Sequence, residues 1–152
     1  MHRISVRQIM RAPVVTITPD ALAADAAELM DEHSIRRIPV VDEDGFLVGI
    51  VSDSDVLEAE TADSLLSAYD PGVEEDWLGV TDIMTREVIT VGPDATVGEL
   101  VTVMLQNKIA GVPVVEAEGG NAKRLRVVGI VTETDIFAMI AAAWEAEKAT
   151  MT

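Results

Sequence analysis

Hydrophobic and polar positions along this chain fall into two matching series. In the first, the extended stretch Val14-Val15-Thr16-Ile17 is stopped by Pro19 and Asp20, a turn and helix-start signal. Leu22, Ala26, Leu29 and Met30 then recur at helical spacing, which predicts an amphipathic helix with one apolar stripe facing a core. Two aliphatic runs follow, Ile38 to Val41 and Phe46 to Val51, and the Asp-Gly of Asp42-Glu43-Asp44-Gly45 between them marks a hairpin turn. A closing helix starts at Ser52-Asp53-Ser54-Asp55. The second series repeats the order: Val88-Ile89-Thr90-Val91 before Pro93, then Val97, Val101, Met104 and Leu105 as a helical stripe. Strands from Val112 to Val115 and from Leu125 to Val131 come next, and a closing helix after Thr132-Glu133-Thr134-Asp135. Each unit reads strand, helix, strand, strand, helix, a mixed α/β (α+β) pattern.

The two series are copies. A shift of 74 positions aligns Ile9-Met10 with Ile83-Met84, Pro19-Asp20-Ala21 with Pro93-Asp94-Ala95, and Pro39-Val40-Val41 with Pro113-Val114-Val115. Past Asp44 the offset becomes 80, because the second hairpin has the longer loop Ala117 to Arg124; Val48-Gly49-Ile50-Val51 then meets Val128-Gly129-Ile130-Val131. Such an internal duplication sets the expected division: one repeat over residues 1–68, an acidic connector over 69–79, and a second repeat over 80–152. In the connector, Pro71-Gly72 should end the first closing helix, and Trp77 is read as packing against the core in preference to stacking on a ligand. The last helix carries Phe137, Ile140 and Trp144 at helical spacing, a packing or subunit-contact face.

Composition narrows the chemistry. With 152 residues and 49% apolar residues the chain can bury a real core. It has no apolar run of the roughly 18 residues a membrane span needs and no apolar signal-peptide core near Met1, so a cytoplasmic protein is expected. There is no cysteine, and His2 and His33 stand far apart, so neither thiolate chemistry nor a transition-metal site is expected. A formal charge of −16 disfavours nucleic acid and anionic membrane as partners, and it leaves high-salt adaptation and simple solubility both open. Any anion site must draw on the eleven Lys and Arg. Of these, Arg36-Arg37 stand before the first Pro-Val-Val, where the second copy has Ala110-Gly111. Lys123-Arg124-Leu125-Arg126 occupy the long hairpin loop, either as a solvated charge run or as a flap over phosphates.

The chemistry-bearing feature is the duplicated hydroxyl-x-x-Asp at a strand-to-helix junction. Ser/Thr-x-x-acid is also how an ordinary capping box is written. Its recurrence in matching contexts adds a second reading, in which hydroxyls, backbone N–H groups and a carboxylate meet where a phosphorylated sugar can be held.

Taken in order, Ile9-Met10, Val14 to Asp20, Ile35 to Asp42 and Gly49 to Asp55, with Ile83-Met84, Val88 to Asp94, Ile109 to Glu116 and Gly129 to Asp135, resemble a pair of CBS domains. This is the cystathionine β-synthase repeat, whose tandem pairs are called Bateman modules. The resemblance implies two repeats related by a pseudo-two-fold axis, with two clefts that each draw on both repeats. Carried over, one cleft would use Thr132, Thr134 and Asp135 with Met10, Val14, Val15, Arg36 and Arg37. The other would use Ser52, Ser54 and Asp55 with Met84, Val88, Ile89, Ala110 and Gly111. Asp55 and Asp135 would accept the two hydroxyls of a ribose, and the Ser and Thr hydroxyls would meet phosphate oxygens. Arg36-Arg37 would then favour phosphate in the Asp135 cleft, unless they only solvate a strand end.

The resemblance thus implies a regulatory module that binds AMP, ADP or ATP, with or without Mg²⁺, forms a homodimer and signals to an effector protein. S-adenosylmethionine is the alternative ligand, and a dimerisation scaffold with vestigial clefts the alternative role. Without a Ser-His pair or a cysteine nucleophile, an enzyme is not expected.

Overall fold

The computed structural model describes residues 3–69 and 78–150, and the side chains of residues 62–69 fall outside that description. In chain order its elements are α1 (Val6–Ile9), α2 (Ala23–His33), β1 (Arg37–Val41), β2 (Leu47–Ser52), α3 (Asp53–Tyr69), α4 (Val80–Ile83), α5 (Val97–Asn107), β3 (Gly111–Ala117), β4 (Leu125–Thr132) and α6 (Glu133–Thr150). Helices combine with small antiparallel sheets in a mixed α+β architecture. Most of the acidic connector, including Pro71-Gly72 and Trp77, lies outside the described residues.

The residues form two compact units, 15–88 and a second made of 1–14 with 89–152. These do not coincide with the repeats expected over 1–68 and 80–152. Each unit takes its short leading helix and the methionine after it from the start of the other copy.

In the 15–88 unit, β1 and β2 pair antiparallel with Ile38 opposite Val51 and Val40 opposite Gly49, and the register slips by a bulge between Val40 and Val41. The turn is closed by Asp42, whose Oδ1 accepts the N–H groups of Asp44 and Phe46, and Gly45 takes a positive φ of 86°. Ile17, Ala26, Met30, Ile38, Val40, Val51, Val56, Val80 and Met84 form the core. The other unit repeats this around β3 and β4, with Val112 opposite Val131 and Val114 opposite Gly129. Its core is Val6, Val91, Leu100, Met104, Val112, Val114, Val131 and Ile136.

The expected first strands, Val14 to Ile17 and Val88 to Val91, are not strands. Each contributes a single parallel bridge, Ile17 to Val40 and Val91 to Val114. Ile17 N–H donates to Pro39 C=O and Val41 N–H donates to Ile17 C=O. Continuing the ladder upstream needs an N–H at Pro39 for the carbonyl of Val15, and continuing it downstream needs an N–H at Pro19. Proline supplies neither. Pro113 and Pro93 truncate the second copy in the same way.

The helical stripes also need adjustment at their edges. Ala26 and Met30 are buried in α2, but Leu22 is its N-cap and is exposed. In α5 the buried stripe is Val97, Leu100 and Met104, whereas Leu105 is 74% exposed. Leu105 lies five residues past Leu100, about 140° round the helix, and so faces away from the core.

Candidate functional site

In each unit the hydroxyl-x-x-Asp sits at the junction of the second hairpin strand with the closing helix. The strand's last residue is the helix N-cap, and the aspartate is the third helical position. In the 15–88 unit the capping box is complete: Ser52 N–H donates to Asp55 Oδ2 at 2.9 Å, and Asp55 N–H donates to Ser52 Oγ at 3.2 Å. Thr132 N–H likewise donates to Asp135 Oδ2 at 2.9 Å, but here the Thr132 hydroxyl also turns to that oxygen, at 3.3 Å. Capping therefore engages one carboxylate oxygen of each aspartate. Among the described residues, Asp55 Oδ1 has no partner.

Asp135 Oδ1 is held differently. It accepts a 2.8 Å ion-paired hydrogen bond from Arg11 Nε, with the Asp135 side chain 9% exposed and that of Arg11 58% exposed. The Arg11 backbone is fixed to β4 by a reciprocal pair, Arg11 N–H to Ile130 C=O and Ile130 N–H to Arg11 C=O. The equivalent pair in the other unit joins Thr85 to Ile50. The cation is thus specific to one copy. The repeat alignment carries this signal one residue past the predicted methionines, since the residue after Met10 is Arg11 and the residue after Met84 is Thr85.

The helix starts differ in their backbone as well. In α3 the first three N–H groups are taken, by Arg36 C=O, Asp53 Oδ1 and Ser52 Oγ. In α6 Glu133 N–H donates to Ala110 C=O, while the N–H groups of Thr134 and Asp135 have no partner among the described residues. The expectation of free helix-start N–H groups therefore holds only in the second copy.

The methionines of the predicted site lie close to these junctions. A Cβ added at Gly49 would meet Met84 Sδ at 2.7 Å and Thr85 O at 3.0 Å; one at Gly129 would meet Met10 Cγ at 2.9 Å and Arg11 O at 3.2 Å. Each glycine is thus the gap through which a leading-segment methionine lies against the strand. Met10 and Val14 accordingly belong to the same unit as Thr132, Thr134 and Asp135, and Met84 and Val88 to the unit of Ser52, Ser54 and Asp55.

The remaining predicted residues divide between the units in the other sense. Val15, Arg36 and Arg37, assigned to the Asp135 cleft, belong to the 15–88 unit. There Arg37 pairs across the hairpin with Ser52, and Arg36 C=O accepts from Asp53 N–H. Ile89, Ala110 and Gly111, assigned to the Asp55 cleft, belong to the other unit, where Gly111 pairs with Thr132. Ser54 and Thr134 are both exposed at the second helical position.

The chain belongs to the CBS domain family: the family model, described as CBS domain, matches residues 6–62 and 80–142. A curated relative, L-aspartate semialdehyde sulfurtransferase of Methanocaldococcus jannaschii, is 36% identical over 131 residues, 86% of this chain but 22% of that protein. Among solved structures, the CBS domain pair of protein MJ0100, in complex with 5′-methylthioadenosine and S-adenosyl-L-methionine, superposes with a TM-score of 0.72 at 32% identity, covering 91% of this chain and 97% of that one. CBSX2 in complex with AMP gives a TM-score of 0.71 at 26% identity, covering 95% and 98%. The chain spans 22% of the length of the first curated relatives it matches. None of the described helices is long and apolar enough to cross a membrane.

Proposed function

We propose that this CBS pair is a ligand-sensing regulatory module for an adenosyl ligand, with AMP, ADP or ATP as the first candidates. Asp55 and Asp135 act as the ribose acceptors. The carrying observation is the duplicated strand-to-helix junction, in which capping occupies Oδ2 of each aspartate and leaves lone pairs on the carboxylate for a diol. The adenosyl ligands in the similar CBSX2 and MJ0100 structures support the class of ligand. They also keep S-adenosylmethionine as an alternative, and Mg²⁺ would accompany only a polyphosphate. Half-buried Val14, Val15 and Val88 and exposed Ile89 supply aliphatic surface for an adenine, and Met10, Met84, Ala110 and Gly111 are the further candidates for that role. Ser52, Ser54, Thr132, Thr134, Arg36 and Arg37 supply the polar contacts. Bound ligand favours one arrangement of the module by differential affinity, and an effector protein reads the resulting population.

Titration calorimetry with AMP tests the assignment. Asp55→Ala and Asp135→Ala should each remove one binding event and leave the other. Retention of full stoichiometry in both variants would place the ligand elsewhere. Arg37→Ala should weaken AMP, and unchanged affinity would confine Arg37 to solvating its strand end.

A further inference from the structure

Arg11 lies outside the motifs that carry the family resemblance, yet its guanidinium pairs with a proposed ribose acceptor, Asp135, within the same unit. Its Cα is locked to β4 by two backbone hydrogen bonds, so only the side chain can respond to a ligand. The guanidinium approaches Asp135 through Nε alone, and its two terminal nitrogens have no partner among the described residues. A planar fork held at one edge presents its other donors in a fixed orientation. Beside it, at the start of the 18-residue helix α6, the N–H groups of Thr134 and Asp135 are unpaired among the described residues. At α3 the corresponding N–H groups are engaged, and Thr85 stands where Arg11 would be.

On the ligand-sensing reading above, on which this inference rests, we infer that Arg11 sets the charge preference of the Asp135 site, selecting adenosyl ligands with a negative group at the 5′ position over neutral ones. A phosphate near Asp135 meets the terminal guanidinium nitrogens and the open helix-start N–H groups. A neutral nucleoside leaves these donors unanswered, and its diol has to share Oδ1 with Nε–H. Arg11 is then a specificity residue acting through both ends of its fork: Nε steadies the ribose acceptor, and the terminal nitrogens read the phosphate.

The test isolates this site with Asp55→Asn, which keeps an oxygen for the Ser52 N–H cap, and compares AMP with adenosine by calorimetry before and after Arg11→Gln. The expected result is that AMP weakens roughly tenfold, the scale of one charge-assisted hydrogen bond, while adenosine holds or tightens. Arg11→Lys should retain part of the AMP preference, and its melting curve checks that the unit still folds. An AMP-to-adenosine ratio unchanged by Arg11→Gln, with binding intact, would overturn the role of Arg11 alone. Absence of binding by either ligand to the wild-type protein would instead overturn the ligand-sensing reading, and this inference with it.

Discussion

At the scale of single residues, the two aspartates and two glycines carry different burdens. Asp135 accepts the N–H of the N-cap residue Thr132 and holds Arg11, so Asp135→Ala should cost about 1 kcal/mol of stability for the lost hydrogen bond, measurable by urea unfolding, besides abolishing binding at its site. Asp135→Asn should restore most of the stability, because an amide oxygen still accepts Thr132 N–H, while leaving Arg11 without its charged partner. Equal stabilities for the two variants would mean that this hydrogen bond contributes nothing. Gly129→Ala should destabilise by about 1–3 kcal/mol, because the new methyl meets Arg11 O as well as Met10, and a backbone oxygen cannot turn away as a side chain can. The hydroxyl-x-x-Asp pattern showed these aspartates in the sequence. It did not show which of their oxygens is engaged, because that depends on Arg11, brought to β4 by backbone pairing across almost the whole chain.

At the scale of elements, hydrophobic spacing located α2, α5, both hairpins and both closing helices, and it misjudged what lies beside a proline. Val14 to Thr16 and Val88 to Thr90 have the alternation of strands, but the missing N–H groups of Pro39 and Pro113 stop the ladder at Ile17 and Val91. Periodicity counts side chains and is blind to a missing donor on a neighbouring strand. The one-turn helices α1 and α4 are too short to show a stripe. The edge of the α5 stripe gives a direct comparison of two leucines. Leu100→Ala, in a fully buried position, should cost about 2–5 kcal/mol. Leu105→Ala, 74% exposed, should stay within about 0.5 kcal/mol. Similar losses at both positions, read from chemical unfolding, would put the stripe in the wrong phase. On α6, Phe137, Ile140 and Trp144 are 63%, 46% and 60% exposed on one face, a candidate contact surface for the homodimer that the family resemblance implies. Trp144→Glu should lower the mass seen by sedimentation to that of a monomer, and an unchanged mass would remove this face from the interface.

For the whole molecule, the duplication was legible because both copies keep Pro-Val-Val, the small residue before Ile-Val and the hydroxyl-x-x-Asp in one order. The make-up of the compact units was not, since α1, Met10 and Arg11 open the first copy in the sequence yet fold with the second. That exchange puts an arginine against one aspartate and a threonine in the matching place of the other unit, so two near-identical motifs acquire different chemistry. The central claim, that the chain senses an adenosyl ligand through these motifs, is tested most directly by thermal melting of the wild-type protein and of the Asp55→Asn, Asp135→Asn double variant. The panel is AMP, ADP, ATP with Mg²⁺, and S-adenosylmethionine. At about 100 times its dissociation constant, a ligand of the wild-type protein should add roughly 2.7 kcal/mol of stability, and the double variant should show little of that gain. No stabilisation of the wild type by any of the four, or an equal gain in the double variant, would contradict the account.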